Sequence, residues 1–384
     1  MKESRVGIGT IPSAANLAAL AHVRTVAEGT RRRDAERIRG VLRAASISAD
    51  VDDLCADLRR ISTITINFHP ERLGVDGRSV AEALAADGIY RSQFETRISN
   101  GGLTAYPGGD RDRWEDAMFG GAYQAFGIDA GERPRYGGLE LFGFANGACP
   151  RFGSCHLRLR AAALDRSTFF VGDSVLQPQD GGVIDRLEPV LAGLLERAAR
   201  GDGFGRTTTV GSLLDHLMTA DAGAPGSAGM NHALDGYVEA QVHGPITLAT
   251  DVEAVVIDPS FRGTPDGQRL LDAAQRHQLN AAWHNGLQLT VDEIPIDVPA
   301  DAEEFRWGQF CGDGRAAKLA RRLVGDHATD GRHLDAATLG RAAVSVVRQP
   351  YEWQPWTYAE DPLTRIKDLW HILVVYGRLA ERDS

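Results

Sequence analysis

The sequence predicts an α+β protein, and three observations predict it. Residues from about Ala14 to Arg60 are rich in Ala, Leu and Arg and hold no proline after Pro12, a helical texture. From Thr63 onward, short runs alternate apolar and polar residues with a period of two, the mark of strands with one buried face. From Asp258 the pattern is mostly helical again. The expected organisation is a helical N-terminal segment over 1–60, a β-rich core over 61–260 and a mostly helical portion over 261–384 packed on that core.

At 384 residues the chain can hold two domains, or one large domain with a helical appendage. Lys and Arg number 42 against 52 Asp and Glu, a formal charge of -10. That balance gives no general attraction to nucleic acid. Cys55, Cys149, Cys155 and Cys311 form no C-x-x-C pair, so neither a disulfide framework nor a zinc ribbon is expected. Reduced thiols are the simple expectation, with a Cys149–Cys155 bridge left open. The charged start Met-Lys-Glu-Ser-Arg is not a Sec signal, and no apolar run is long enough to span a membrane. The expected location is cytoplasmic, or outside the cell by a signal-peptide-independent route.

Two or three helices fill the first 60 residues, broken near Ser46–Ser48. Thr63 to His69 alternates as a strand: Ile64, Ile66 and Phe68 face one way, Thr63, Thr65, Asn67 and His69 the other, and Pro70 ends it. A helix over Ser79–Ala86 closes on Gly88. Arg91 to Gly102 reads as a strand running into a glycine loop. Asp110 to Tyr123 reads as a helix burying Trp114, Met118 and Phe119. Strands follow at Tyr136–Leu141, Phe152–Arg160 and Arg166–Ser174, then helices at Ile184–Ala199 and Gly211–Thr219. Tyr237 to Gly244 alternates again, with Tyr237, Glu239, Gln241 and His243 on one side and Val238, Ala240 and Val242 on the other. This face suits either a cleft wall or a solvated edge strand. Strands at Ile246–Leu248 and Val252–Ile257 and helices at Asp266–His277, Ala316–Val324, Ala336–Val347 and Leu363–Arg382 complete the chain. Leu287–Val291 adds a strand, and Gln349–Pro362 is expected to wrap the surface.

Familiar catalytic motifs are missing. There is no phosphate loop, no nucleophile elbow, no dinucleotide fingerprint and no H-E-x-x-H pair. Cys149, Cys155 and His156 come nearest to a metal set but lack further ligands at usable spacing, so no metal is expected. What remains is two strands of one design, with His69 on the first and Glu239 on the second. A carboxylate facing a histidine across a cleft can hold a sugar hydroxyl and stabilise an oxocarbenium-like transition state. That chemistry cleaves N-glycosidic bonds.

Two resemblances attach to these residues. Phe68-His69-Pro70, Ser92-Gln93-Phe94-Glu95-Thr96, Ile98-Ser99-Asn100-Gly101-Gly102, Tyr106-Pro107-Gly108-Gly109-Asp110, Phe119-Gly120-Gly121-Ala122-Tyr123, Arg135-Tyr136-Gly137, Phe152 to Arg158 and Gly172-Asp173-Ser174 occur in order. Together they resemble a bacterial family known as domain of unknown function 3626, which names no activity. More distantly, Tyr237 to Leu248 followed by Asp251-Val252-Glu253-Ala254-Val255 resembles the terminal strand pair of ADP-ribosyltransferase-like domains. This is the branch that uses histidine, tyrosine and glutamate.

That second resemblance implies an ADP-ribosyltransferase-like split β-sandwich over 61–260. It implies cleavage of the nicotinamide–ribose bond of NAD, with ADP-ribose passed to a protein, nucleic-acid or small-molecule acceptor. NAD is then a consumed substrate and no recycled cofactor is needed. His69 matches the ribose-binding histidine and Glu239 the late glutamate; Pro70 departs from the glycine usual after that histidine. The middle position stays open among Ser99, Tyr136 and Ser167. Gln93, Thr96, Arg97, Ser99, Asn100, Gly101 and Arg158 are the expected NAD contacts. A toxin or effector setting, with an immunity or delivery partner, also follows from the resemblance. An NAD glycohydrolase, a catalytically silent binding module and a metal-dependent hydrolase are the alternatives. Bland roles compete for each residue: Glu239 paired with Arg158, Gln93 and Asn100 capping turns, Arg97 in an ion pair.

Overall fold

The computed structural model describes residues 12–98, 104–201, 204, 208–220, 229–296, 308–357 and 361–380. Ser13 caps α1 (Ala14–Ala44) by accepting the Asn16 amide, and Asp50 caps α2 (Val51–Ile61). Then come β1 (Thr63–Phe68), α3 (Val80–Asp87), β2 (Ile89–Tyr90), α4 (Gln93–Thr96), α5 (Asp110–Phe119), β3 (Arg135–Glu140), β4 (Cys155–Leu159), β5 (Ser167–Val171), β6 (Gly181–Val183), α6 (Glu188–Ala199) and α7 (Val210–Thr219). β7 (Val238–Val242), β8 (Ile246–Thr247), α8 (Leu248–Asp251) and β9 (Val252–Ile257) follow. The last part holds α9 (Pro265–His277), β10 (Asn280–Trp283), β11 (Leu287–Thr290), α10 (Gly308–Gly312), α11 (Arg315–His327), β12 (His333–Asp335), α12 (Ala336–Arg348), α13 (Pro350–Thr357), α14 (Pro362–Tyr376) and β13 (Arg378–Leu379). No described helix is long and apolar enough to cross a membrane.

Helix and sheet are mixed as the α+β expectation has it, and eight strands make one sheet in the order β10-β9-β4-β1-β3-β7-β5-β6. Its apolar face carries Ile64, Ile66, Leu139, Leu157, Phe169 and Val255 into the main core, beneath α2, α6, α7 and α9. The register aligns the other face strand by strand. Arg158 and His156 lie beside Thr65 and Asn67, Gly138 beside Thr65 and Glu239, and Tyr136 and Thr168 beside Gln241. β7 is therefore an inner strand, and all five of its residues are buried. A solvated edge strand is excluded.

Four local expectations change. The strand expected over Arg91–Gly102 is not seen in its described part, Arg91 to Ile98, because Ser92 and Glu95 form a capping box that starts α4, and Arg97 ends it in the left-handed region at φ 54. Ser99 to Gly102 lie outside the described residues. β10, without alternation to betray it, pairs parallel with β9 through α9, so the core sheet continues past residue 260. Trp114 is half-buried rather than in the core. Trp353 is buried instead of wrapping the surface, with its indole N–H donated to Ser345.

The sheet does not stay closed along its length. β1 pairs with β3 from Thr63↔Glu140 to Thr65↔Gly138 and then stops. Beyond that point β1 stays with β4 as far as Phe68↔Cys155, while Arg135 to Gly137 of β3 stay with β7. A wedge opens between the end of β1 and the start of β3. The chain joining β3 to β4 holds it there. Asn67 donates to the carbonyls of Asn146 and Gly153 and accepts from the Cys149 amide. Gly138 leaves the space that Cys149 Sγ fills, since a Cβ there would lie 2.3 Å from that sulfur.

Burial sets the acid–base behaviour of this fold. It pushes Glu115, Glu140 and Glu239 up to about 7 and Glu71 up to about 8. It pushes His69, His156 and His243 down to about 3. A raised carboxyl lends stability that is full below the ordinary 4.5 and lost as pH rises through 7 to 8. A lowered imidazole lends stability that is full above 6.5 and lost as pH falls toward 3. Between 4.5 and 6.5 the two trends oppose. The unfolding midpoint in a pH series should therefore be nearly flat across that window and fall on both sides. A midpoint that climbs steadily from about pH 6 to 9 would contradict this balance.

Candidate functional site

The wedge is the mouth of a cavity with about 1060 Å³ of empty space, its open mouth included. Asn67, Phe68, His69 and Arg72 supply one wall, from the end of β1. Arg135, Tyr136 and Gly137 from β3 and Glu239 from β7 supply the facing wall. Leu84, Tyr90, Gln93 and Thr96 close one side, and Arg111 and Phe152 close the rest. The sequence-predicted His69, Tyr136, Glu239, Gln93 and Thr96 thus meet in one place.

Glu239 is 3 % exposed. One carboxylate oxygen accepts from the Gln241 amide at 2.8 Å, the other from the Ser174 amide and hydroxyl at 3.3 Å. Burial first, then the nearby Asp173, pushes the carboxyl up to about 7, while Arg111 pulls the other way. Arg111 donates to Ser174 Oγ at 2.6 Å and lies over the Tyr136 ring at 4.4 Å. Ser174 therefore ties the guanidinium to the carboxylate.

His69 stands just beyond β1, its side chain 20 % exposed. Trp370 of α14 meets its ring edge-on at 5.0 Å, and Trp370 is itself pinned by an indole N–H shared between the Pro150 and Arg151 carbonyls. Enclosure and Arg72 hold the imidazole neutral. Tyr136 lays its ring on the cavity wall and donates its hydroxyl to Glu115, which also takes Arg133. Thr96 spends its hydroxyl on the Ser92 carbonyl and the Ile98 amide.

Other expected contacts are not brought in. Arg97 is exposed and absent from the wall, because the left-handed turn that ends α4 sends it outward. Arg158 lies on the same sheet face but two strands from β3, where it pairs with Glu253 at 3.3 Å and does not reach Glu239. Ser167 is fully buried and donates to the Ala163 carbonyl, so it is structural. Ser99, Asn100 and Gly101 lie outside the described residues. Cys149 and Cys155 are both buried free thiols.

Gln241 and His243, without a role in the sequence, support Glu239 through a one-way chain of hydrogen bonds. Asn16 donates to the Tyr123 oxygen at 3.0 Å, and Tyr123 O–H meets His243 Nδ1 at 2.6 Å. His243 Nε2 lies 3.1 Å from Thr168 Oγ1, which donates to Gln241 Oε1 at 2.7 Å. Gln241 then donates to Glu239. Because Thr168 uses its proton on Gln241, His243 Nε2 must be the N–H and Nδ1 the acceptor for Tyr123. The direction requires a neutral imidazole, which burial enforces.

Sequence reasoning missed Arg111, Ser174, Glu115 and Trp370. Ser174 did stand in the Gly172-Asp173-Ser174 run, but that run has the composition of a turn. Arg111 sits among the charges of Asp110 to Arg113, which read as a solvated helix start. Trp370 is remote in sequence, and no local signal ties it to His69.

A family model described as "Protein of unknown function (DUF3626)" matches residues 63–376. The chain is also similar to the "Gene 2 protein" of Mycobacterium phage L5, at 29% identity over 180 residues. That similarity takes in 45% of this chain and 59% of the phage protein's length.

Two outcomes follow from this geometry. The ionised Glu239 lacks full solvation, so Glu239→Gln should raise the unfolding midpoint at pH 8. At pH 5, where the native carboxyl is already neutral, the two midpoints should converge; equal offsets at both pH values would contradict the shift. Nitrogen NMR should show His243 as the neutral Nε2–H form at pH 5. His243→Phe, which strands the Tyr123 hydroxyl proton and removes the donor to Thr168 Oγ1, should cost about 1–3 kcal/mol in denaturant unfolding.

Proposed function

The chain belongs to the DUF3626 family of proteins of unknown function, and for this member we propose ADP-ribosyl transfer from NAD. The observation that supports it best is the split sheet, which sets His69 on one wall of a cavity and Glu239 and Tyr136 on the other. Cleaving the nicotinamide–ribose bond leaves positive charge on the anomeric carbon. A buried carboxylate beside that carbon stabilises the charge far more than it would in water. Ionised Glu239 would accept a ribose hydroxyl and face the developing cation. Gln241 and Ser174 hold its oxygens in place, so little reorganisation accompanies the reaction.

His69, kept neutral, can bond a ribose hydroxyl from the opposite wall without repelling the oxocarbenium. Tyr136 offers its ring face rather than its hydroxyl, which Glu115 occupies. Gln93 has a buried Oε1 without a hydrogen-bond partner, an acceptor suited to the carboxamide N–H of nicotinamide. Arg111 keeps a fraction of Glu239 ionised at neutral pH. An NAD glycohydrolase would use the same groups with water as acceptor, and acceptor mass separates the two.

Incubation with NAD should release nicotinamide and add the mass of ADP-ribose to an acceptor. Glu239→Gln should slow release by about 100-fold or more. The rate should fall below about pH 7 as Glu239 takes up a proton, and Arg111→Met should move that limb to higher pH. Absence of both NAD turnover and NAD binding by the wild type would sink this reading. Turnover that survives Glu239→Gln would remove Glu239 from the chemistry.

A further inference from the structure

Of the four arginines that line the cavity, two already have anionic partners. Arg91 pairs with Asp76 at 3.1 Å and Asp87 at 2.6 Å, and Arg135 pairs with Glu95 at 3.0 Å. Arg133 is bound by Asp112 and Glu115. Arg72 differs. It is a half-buried residue on the cavity wall, and its side chain makes no hydrogen bond or ion pair among the described residues. Glu71 and Asp361 act on it only through space, and burial lowers its affinity for its proton. Val80, Ala83 and Leu84 of α3 line the same wall and offer it no acceptor.

A half-buried guanidinium with no acceptor in place keeps its N–H donors available to a ligand. It stands in a cavity also lined by Arg111 and Gln93, whose Nε and Oε1 are buried without partners. Arg72 and Arg111 both line this cavity. Two cationic side chains and one amide on a largely apolar wall describe a ligand with an anionic group and an uncharged hydrogen-bonding end. Arginine's planar fork fits phosphate oxygens in pairs.

We propose that the cavity binds a phosphate-bearing ligand, with Arg72 as the side chain that grips its phosphate oxygens. The anion site is independent of the reaction; naming the ligand as an ADP-ribosyl compound rests on the reading of Glu239 given above. On that reading Arg72 holds the diphosphate, a contact that the exposed Arg97 does not make from the cavity wall, and specificity falls to dinucleotides over nucleosides.

Calorimetric titration of the full chain with inorganic pyrophosphate, ADP-ribose and nicotinamide tests this. The wild type should bind ADP-ribose and pyrophosphate. Arg72→Ala should weaken ADP-ribose by at least tenfold, with nicotinamide affinity unchanged as the check on folding. Arg72→Lys, a point charge without the fork, should lose less, and serves if the alanine variant does not fold. Unaltered ADP-ribose affinity in both variants, or no binding of either phosphate compound by the wild type, would overturn the proposal. Phosphate binding that needs Arg72 in a protein that does not cleave NAD would uphold the anion site and refute the ADP-ribosyl reading instead.

Discussion

The parting of β1 from β3 after Thr65 and Gly138 is the constraint on which the rest depends. A continuous ladder would bring the end of β1 against the start of β3 and leave no cavity. The split is held open by covalently ordinary means: an asparagine that takes over three backbone groups of the adjoining loop, and a glycine that makes room for a sulfur. Backbone groups of a loop outside any ladder must find other partners, and Asn67 supplies three of them. Everything chemical then follows from which residues flank the gap. His69 is placed because it is the first residue past β1, and Tyr136 because it lies in the start of β3, which pairs with β7 but not with β1.

The polar face of the sheet shows a second constraint. Covering it withdraws several carboxyls and imidazoles from water at once, and each responds by moving toward its neutral form. Glu140 spends one oxygen on the amides of Phe142 and Gly143, away from the cavity. Glu239 is different because its partners leave it on the wall of a cavity, with a cation one hydroxyl away. A carboxylate that is costly to ionise yet held ready to do so is a reactive group rather than a structural one.

Much of this was legible in the sequence. Period-two alternation located β1 and β7 and assigned His69 and Glu239 to polar faces, because side-chain direction in a strand is fixed by geometry alone. Capping residues such as Ser79 and Gly88 marked helix ends for the same local reason. What could not be read was anything that needs two distant segments. Arg158 and Glu239 share a sheet face, yet strand order keeps them apart. Arg97 and Arg72 look alike as letters; one is turned outward by a left-handed residue and the other inward beside α3. β10 failed for a different reason: Asn280-Ala281-Ala282-Trp283 has no amphipathic pattern, and only its place beside β9 makes it a strand.

The chain of donors that ends on Glu239 begins at Asn16, in a helix that precedes the segment matched by the family. The recognisable part of the sequence and the working unit are therefore not the same length. A gene trimmed to the family boundary would lose the amide that satisfies the Tyr123 oxygen and the α1 residues Ala15, Ala19 and Val23 that cover Phe119 and Tyr123. Such a fragment could retain its whole sheet and still present its carboxylate on a loosened mount. For anyone dissecting relatives of this chain, the N-terminal helix belongs to the part worth keeping.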